Sequence, residues 1–293
     1  LRSTRPLYMS AARLPTYFIS HGGPNLLDDK DKPGKFYDWF GKTIRKLKPK
    51  AVVIVSAHWQ GEGNGVYVEA TEGPLKLIYD FYGFPPQYYK QTWNGTGLPS
   101  LANKVAELLK HKGIPATLTK RGIDHGVWVP LKRALSDFDI PLVQVSTFEH
   151  EDMASHVKLG EALQPLRSHP QQIEHHRDEG VLIIGSGAAE HNLRDMWQHI
   201  NRPSPSYIKS FDKNLEDSVL KYTGEQRKVE VCKLNKDPSF RKCHPTAEHL
   251  VPLHVAVGAA GDDEAVKVLD DFFSTIGWSS FEFSSNNQDK TEL

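Results

Sequence analysis

The sequence predicts an α/β fold: one domain with a central, largely parallel or mixed sheet covered by helices on both faces. Three observations carry this. Ala51–Val55 and Val181–Ile184 are short, unbroken apolar runs rich in β-branched residues, the signature of strands buried on both faces. Segments of helical spacing alternate with such runs along most of the chain, as in sheets wound by crossover helices. No internal repeat, composition shift or linker divides the 293 residues. A single domain over 14–283 is therefore expected, with flexible termini at 1–13 and 284–293.

Taken in order, Leu14–Ile19 reads as a first strand that ends just before His21. Phe36–Leu47 has helical spacing and is closed by Lys48-Pro49-Lys50. Ala51–Val55 delivers His58. Ser100 suits the N-cap of a helix through Lys112, which Gly113-Ile114-Pro115 ends. Pro141–Ser146 is a further strand, followed by a helix from about Ala154 to Leu166 and a polar loop from Arg167 to Gly180. Val181–Ile184 runs straight into Gly185-Ser186-Gly187. Helical segments follow at Tyr207–Tyr222 and Pro252–Ala260, and the apolar rhythm of Asp262–Ile276 predicts a last helix.

Composition excludes several classes of function. Thirty-six Lys and Arg residues balance 36 Asp and Glu, which leaves no electrostatic case for nucleic acid or an anionic membrane as partner. No apolar run approaches the roughly 20 residues that a membrane-crossing helix needs. The two cysteines, Cys232 and Cys243, lie in a charged, loop-like stretch and make neither a disulfide framework nor a zinc knuckle. Free thiols suit a reducing compartment, so a cytoplasmic address is expected, with the nucleus as a second. Arg2, Arg5 and Arg13 among serines make a mitochondrial leader a minor alternative. In a reducing compartment the sequon Asn94-Gly95-Thr96 goes unused.

Chemistry concentrates in five histidine motifs: Ser20-His21-Gly22-Gly23-Pro24, Ser56-Ala57-His58-Trp59, Asp124-His125-Gly126, Gly185 to Asn192, and His244-Pro245-Thr246-Ala247-Glu248-His249. Each places an imidazole where a strand ends or a helix begins. In an open α/β sheet those positions face one ligand crevice, and several imidazoles there suit a divalent transition metal with a proton carrier. Asp124 is placed to orient His125. Gly185-Ser186-Gly187 lacks the third glycine of a dinucleotide fingerprint, since position 190 is Glu; its glycines instead suit a tight turn that aims His191 inward. Glu248 and His244 compete with His249 as ligands. The other histidines, His156 and His254 among them, read as surface or local-structure residues.

The motifs SHGGP, SAHW, IYDFYGFP (Ile78–Pro85), DHGVWVPL, GSGAAEHN and HPTAEHLVPL together resemble the class III extradiol ring-cleavage dioxygenases, in the branch similar to DOPA 4,5-dioxygenase. The resemblance runs from about Leu14 to Phe283, and departs around Arg167–Gly180 and Gly224–Cys243. It implies one divalent metal per chain, Fe(II) for dioxygenase activity or Zn(II) as purified family members carry, held by His21, His58 and His249. It implies that His191 and His125 handle protons beside the substrate, with His191 titrating near neutrality. A small catechol and O2 are the implied partners, with Trp59, Tyr79, Phe81 and Tyr82 as ring-stacking walls and a ring-opened semialdehyde as product. Three histidines with open positions also suit a Zn(II) hydrolase of amides or esters, or a non-catalytic metal-binding protein on the same fold.

Overall fold

A computed structural model of the chain describes residues 13–137, 140–168 and 180–285. In chain order the elements are β1 (Thr16–Ser20), α1 (Lys32–Leu47), β2 (Ala51–Gln60), β3 (Val66–Glu69), β4 (Gly73–Pro74), β5 (Thr96–Gly97), α2 (Pro99–His111), β6 (Ala116–Thr119), α3 (His125–Ala134), β7 (Leu142–Thr147) and α4 (Met153–Leu163). They continue as β8 (Val181–Gly187), β9 (Glu190–His191), α5 (Leu193–His199), α6 (Ser206–Leu220), α7 (Gly224–Cys232), α8 (Phe240–Cys243), α9 (Val251–Ala260), β10 (Glu264–Leu269), β11 (Phe272–Phe273), β12 (Ile276–Gly277) and β13 (Ser280–Ser284). The segments expected to be flexible, 1–13 and 284–293, lie largely outside the described residues. Ser284 belongs to β13, and Arg13 bridges to Ser168.

The principal sheet runs β10-β13-β1-β8-β2-β7-β3-β6. Its centre, β1, β8, β2 and β7, is parallel, while β13 pairs antiparallel with β1 and β3 with β7. The sheet is thus mixed, with a parallel middle. Alternate residues of each central strand face opposite sides. Tyr17, Val52, Ile54 and Leu182 pack on α1 and α3, whereas Val53, Val55, Val143 and Ile183 pack on α2, α4 and α9. Burial of both sets explains why these strands read as unbroken apolar runs. A second cluster on the α9 face joins Phe18, Phe281 and Phe283 to α6, α7 and α9.

The far end of α9 is tied down by Arg167. Its fully buried guanidinium donates to the carbonyls of Leu14, Ala259 and Ala260 and pairs with Asp263. The last carbonyls of a helix lack intrahelical donors, so a buried cation there satisfies them. Position 167 therefore carries a structural role where the sequence suggested the start of a polar loop.

Three further expectations are corrected. The stretch Asp262–Ile276 forms β10, β11 and β12 rather than a helix. Its apolar residues fit either period, and the open edge of β13 decides, since Glu264–Leu269 hydrogen-bonds to it. Cys232 and Cys243 close helices α7 and α8 instead of lying in a loop, and both are free. His156 and His254 are completely buried, as is His244. His156 accepts from the Phe148 amide, and the Nε2 atoms of His244 and His254 meet the carbonyls of Ala189 and Val231.

Burial holds His156 and His244 down to about 3 and His254 to about 4, so all three are neutral in the fold. The unfolded chain, with imidazoles near 6.5, binds more protons than the folded one between those values. The effect of these three rings on stability should therefore be constant above pH 7 and turn destabilising as pH drops from about 6.5 towards 4. Each group contributes up to about 1.4 kcal/mol per pH unit. Urea unfolding across this range checks it; a midpoint that stays constant from pH 6.5 to 4.5 would contradict neutral burial of these rings.

Candidate metal centre

Five histidines meet outside the carboxyl ends of the parallel strands. His21 follows β1 directly. His58 lies within β2, which continues past Val55 to Gln60 through a register shift between Ser56 and Gln60; such an irregularity re-aims side chains at a sheet rim. His125 opens α3, His249 immediately precedes α9, and His191 sits in β9. The glycines at the end of β8 act by close approach. A Cβ at Gly187 would lie 2.0 Å from the His249 carbonyl, and one at Gly185 would lie 2.1 Å from that of Pro252. They let the start of α9 rest on β8, which brings His249 to the strand ends. Gly126 plays the same part for α3, where a Cβ would meet Ser56 Oγ at 2.5 Å.

Three rings converge by their Nε2 atoms. His58 Nε2 lies 3.0 Å from that of His21 and 3.2 Å from that of His249. Each Nδ1 faces an acceptor. His21 Nδ1 is 3.0 Å from Ser186 Oγ, which itself donates to the Gly126 carbonyl and so accepts from the imidazole. His249 Nδ1 is 3.0 Å from Glu248 Oε1, and His58 Nδ1 is 3.3 Å from Asp80 Oδ2. Protons on the Nδ1 atoms leave three Nε2 lone pairs pointing at one another, an arrangement that a cation satisfies. Nitrogens about 3.0–3.4 Å apart are what metal–nitrogen distances of about 2.0–2.1 Å imply for neighbouring ligands. The donor set fits a divalent transition metal.

The electrostatics agree. Burial first, and the neighbouring imidazoles second, push His21 and His249 well below the usual histidine range. His58 is held at about 3 by burial and by His125, against the pull of Asp80 and Glu248. All three are therefore neutral at physiological pH, the form in which an imidazole can bind a metal. Burial tends to raise Asp80, but its hydrogen bond to His125 and the two neighbouring imidazoles prevail and hold it at about 2.

Two flanking groups complete the crevice. On one side Asp80 Oδ1 accepts from the His125 amide at 2.9 Å and lies 3.0 Å from its Nδ1, while the His58 and His125 ring centroids are 4.0 Å apart. On the other side His191 stacks on His249 at 3.5 Å, with Glu248 within ligand reach of both. Burial pushes His191 down to about 4, against the pull of Glu248. Asp124 also departs from expectation. Its carboxylate takes Ser56 Oγ at 2.7 Å, Arg121 Nη1 at 3.0 Å and the Gln144 amide, so it clamps β2 and β7 beneath the crevice; Asp80 is the residue beside His125. His244 points to Ala189 and Phe211, outside the converging set.

Among the aromatic residues expected as walls, Phe81 packs edge-on against His125. Tyr79 stands behind it on Trp128, its hydroxyl donating to the Gln91 carbonyl. Trp59 stacks on Tyr67 beneath the Arg121 guanidinium, and Tyr82 is 89% exposed. Sequence reasoning passed over Asp80, Ser186 and Trp278. Trp278 covers the turn after His21, where a Cβ on Gly22 (φ +60°) would lie 2.1 Å from its ring. An acid set among four aromatics was the available signal for Asp80; nothing local marks the other two.

The family described as the catalytic LigB subunit of aromatic ring-opening dioxygenase matches residues 15–282. The chain is 37% identical over 276 residues to the 4,5-DOPA dioxygenase extradiol of Beta vulgaris, covering 92% of this chain and 96% of that protein. It is 34% identical to the protein of the same name from Escherichia coli strain K12, over 90% of this chain and 92% of that one. A crystal structure of an uncharacterized protein from Escherichia coli K12 superposes with a TM-score of 0.74 at 28% identity, covering 93% of this chain and all of that one. Sequence, fold and the histidine crevice agree: the chain belongs to the LigB family of aromatic ring-opening dioxygenases.

Proposed function

We propose that this chain is an extradiol dioxygenase that opens the ring of a DOPA-like catechol with O2 to a semialdehyde. In this reading His21, His58 and His249 hold Fe(II) through Nε2. The convergence of those three lone pairs at the strand ends, in a chain of this family, is the observation that carries the reading. Fe(II), when bound, supplies the redox chemistry between catechol and dioxygen. Zinc suits the same nitrogens and binds such sites more tightly, without that redox capacity.

The protein's own groups bind, orient and move protons. His191 lies parallel to His249 without joining the converging set, and Glu248 beside it favours its protonated form. Together they can take a hydroxyl proton as the catechol binds and return it later. His125, with Nδ1 towards Asp80, presents an unprotonated Nε2 as acceptor on the opposite side. Phe81 supplies an apolar wall next to His125, buttressed by Tyr79. Trp59 lies under the Arg121 guanidinium, which donates to the His58 carbonyl, and Tyr82 is exposed next to Phe81.

Apo-protein loaded anaerobically with Fe(II) should consume O2 on addition of L-DOPA and form a yellow ring-opened product, while zinc loading should abolish both. An Fe(II) form that turns over no member of a broad catechol panel would refute the proposed reaction. Replacing His249 by Ala should strip most bound metal while circular dichroism stays that of the folded chain. Full occupancy would move the ligand role to Glu248.

His191→Asn should keep metal content and catechol binding, while turnover falls on the order of a hundred- to ten-thousandfold, the usual cost of losing a general acid–base group. Metal analysis and steady-state rates on one preparation read both. Loss of metal in that variant would make His191 a ligand instead.

A further inference from the structure

We infer that Asp80 is the positioning residue of this site: one carboxylate that sets the tautomer of both the metal-facing His58 and the substrate-facing His125. The inference rests on the reading of His21, His58 and His249 as a metal centre. Its basis is that the two oxygens are divided between two rings. Oδ2 lies 3.3 Å from His58 Nδ1, and Oδ1 lies 3.0 Å from His125 Nδ1 while also accepting the His125 amide at 2.9 Å. Both ring contacts are close approaches, and the His125 amide makes the aligned hydrogen bond; a carboxylate only accepts, so at this range it favours the proton on each Nδ1 and leaves both Nε2 atoms as lone pairs. For His58 that lone pair points at its two partners. For His125 it faces the crevice as a proton acceptor.

The segment carrying Asp80 is anchored independently of its side chain. The Ile78 amide donates to the Ile123 carbonyl at 2.8 Å, Trp128 Nε1 donates to the Ile78 carbonyl at 2.9 Å, and Tyr89 donates to the Phe81 carbonyl at 3.2 Å. The carboxylate is thus presented to the two imidazoles on a braced strap. Its removal should change the rings rather than the path of the backbone.

Asp80→Asn separates the two functions. An amide has one acceptor oxygen, and two donors meet at His125, so the oxygen should stay there and the NH2 group should face His58 Nδ1. Two donors then oppose each other at His58. Chelator competition with zinc should show affinity lowered on the order of 10- to 100-fold. Histidine ¹⁵N spectra of the zinc-loaded protein should show His125 still protonated on Nδ1 in wild type and in Asp80→Asn. In Asp80→Ala, His125 should shift towards the Nε2-protonated tautomer.

Wild-type zinc affinity in folded Asp80→Asn, or a wild-type His125 protonated on Nε2, would overturn the assignment. The wild-type spectrum decides even if both variants fail to fold. Because neither readout involves O2 or catechol, a wild-type protein with the expected tautomer and no ring cleavage would refute the proposed reaction and leave the role of Asp80 standing.

Discussion

Three neutral imidazoles that meet edge to edge in a buried crevice impose one requirement on everything around them: each must give its remaining N–H to an acceptor behind it. An imidazole has two nitrogens, and which one carries the proton follows from the partner of the other. Here the partners are a serine on β8, a carboxylate ahead of α3 and a glutamate next to His249. All three acceptors lie outside the converging nitrogens, so the crevice gathers lone pairs without a balancing proton. That is a site shaped for a cation, and burial deepens the effect by disfavouring charge on the rings themselves.

The fold meets this requirement by converging elements on the carboxyl ends of a parallel strand set. β1 and β2 each contribute a ring, β8 contributes the serine, and α3 and α9 close over them because Gly126, Gly185 and Gly187 admit backbone where side chains would collide. Beneath the rings, the Asp124 carboxylate joins Ser56, Gln144 and Arg121 and so ties β2 to β7. The far end of α9 is held by Arg167 and Asp263. Buried charge of this kind is costly unless fully paired. Both networks stand where a shift of a helix would move a ring out of reach.

What could be read from the sequence was whatever is encoded locally. Buried strands announce themselves by unbroken β-branched runs, so β1, β2, β7 and β8 were legible, and the histidines at their ends followed. His21, His58 and His191 fall within a few residues of such runs, whereas His125 and His249 stand where segments of helical spacing begin. The segment from Glu264 to Ile276 was misread because its apolar spacing satisfies two periods, and the choice depends on hydrogen bonds to β13, which arrives only at Ser280. Burial of His156, His244 and His254 was hidden for a similar reason: a polar residue looks the same in sequence whether its partner is water or the carbonyl of a distant helix.

By itself, then, the sequence determined a mixed α/β sheet and the five imidazoles of one crevice, because strand burial and strand ends are properties of contiguous residues. Only the tertiary structure decided which nitrogen of each ring faces inward, that Asp80 rather than Asp124 serves His125, and that Trp278 seals the turn at Gly22. Apart from the adjacent Glu248–His249 pair, those outcomes turn on contacts between residues tens to hundreds of positions apart, whose distances no local pattern records.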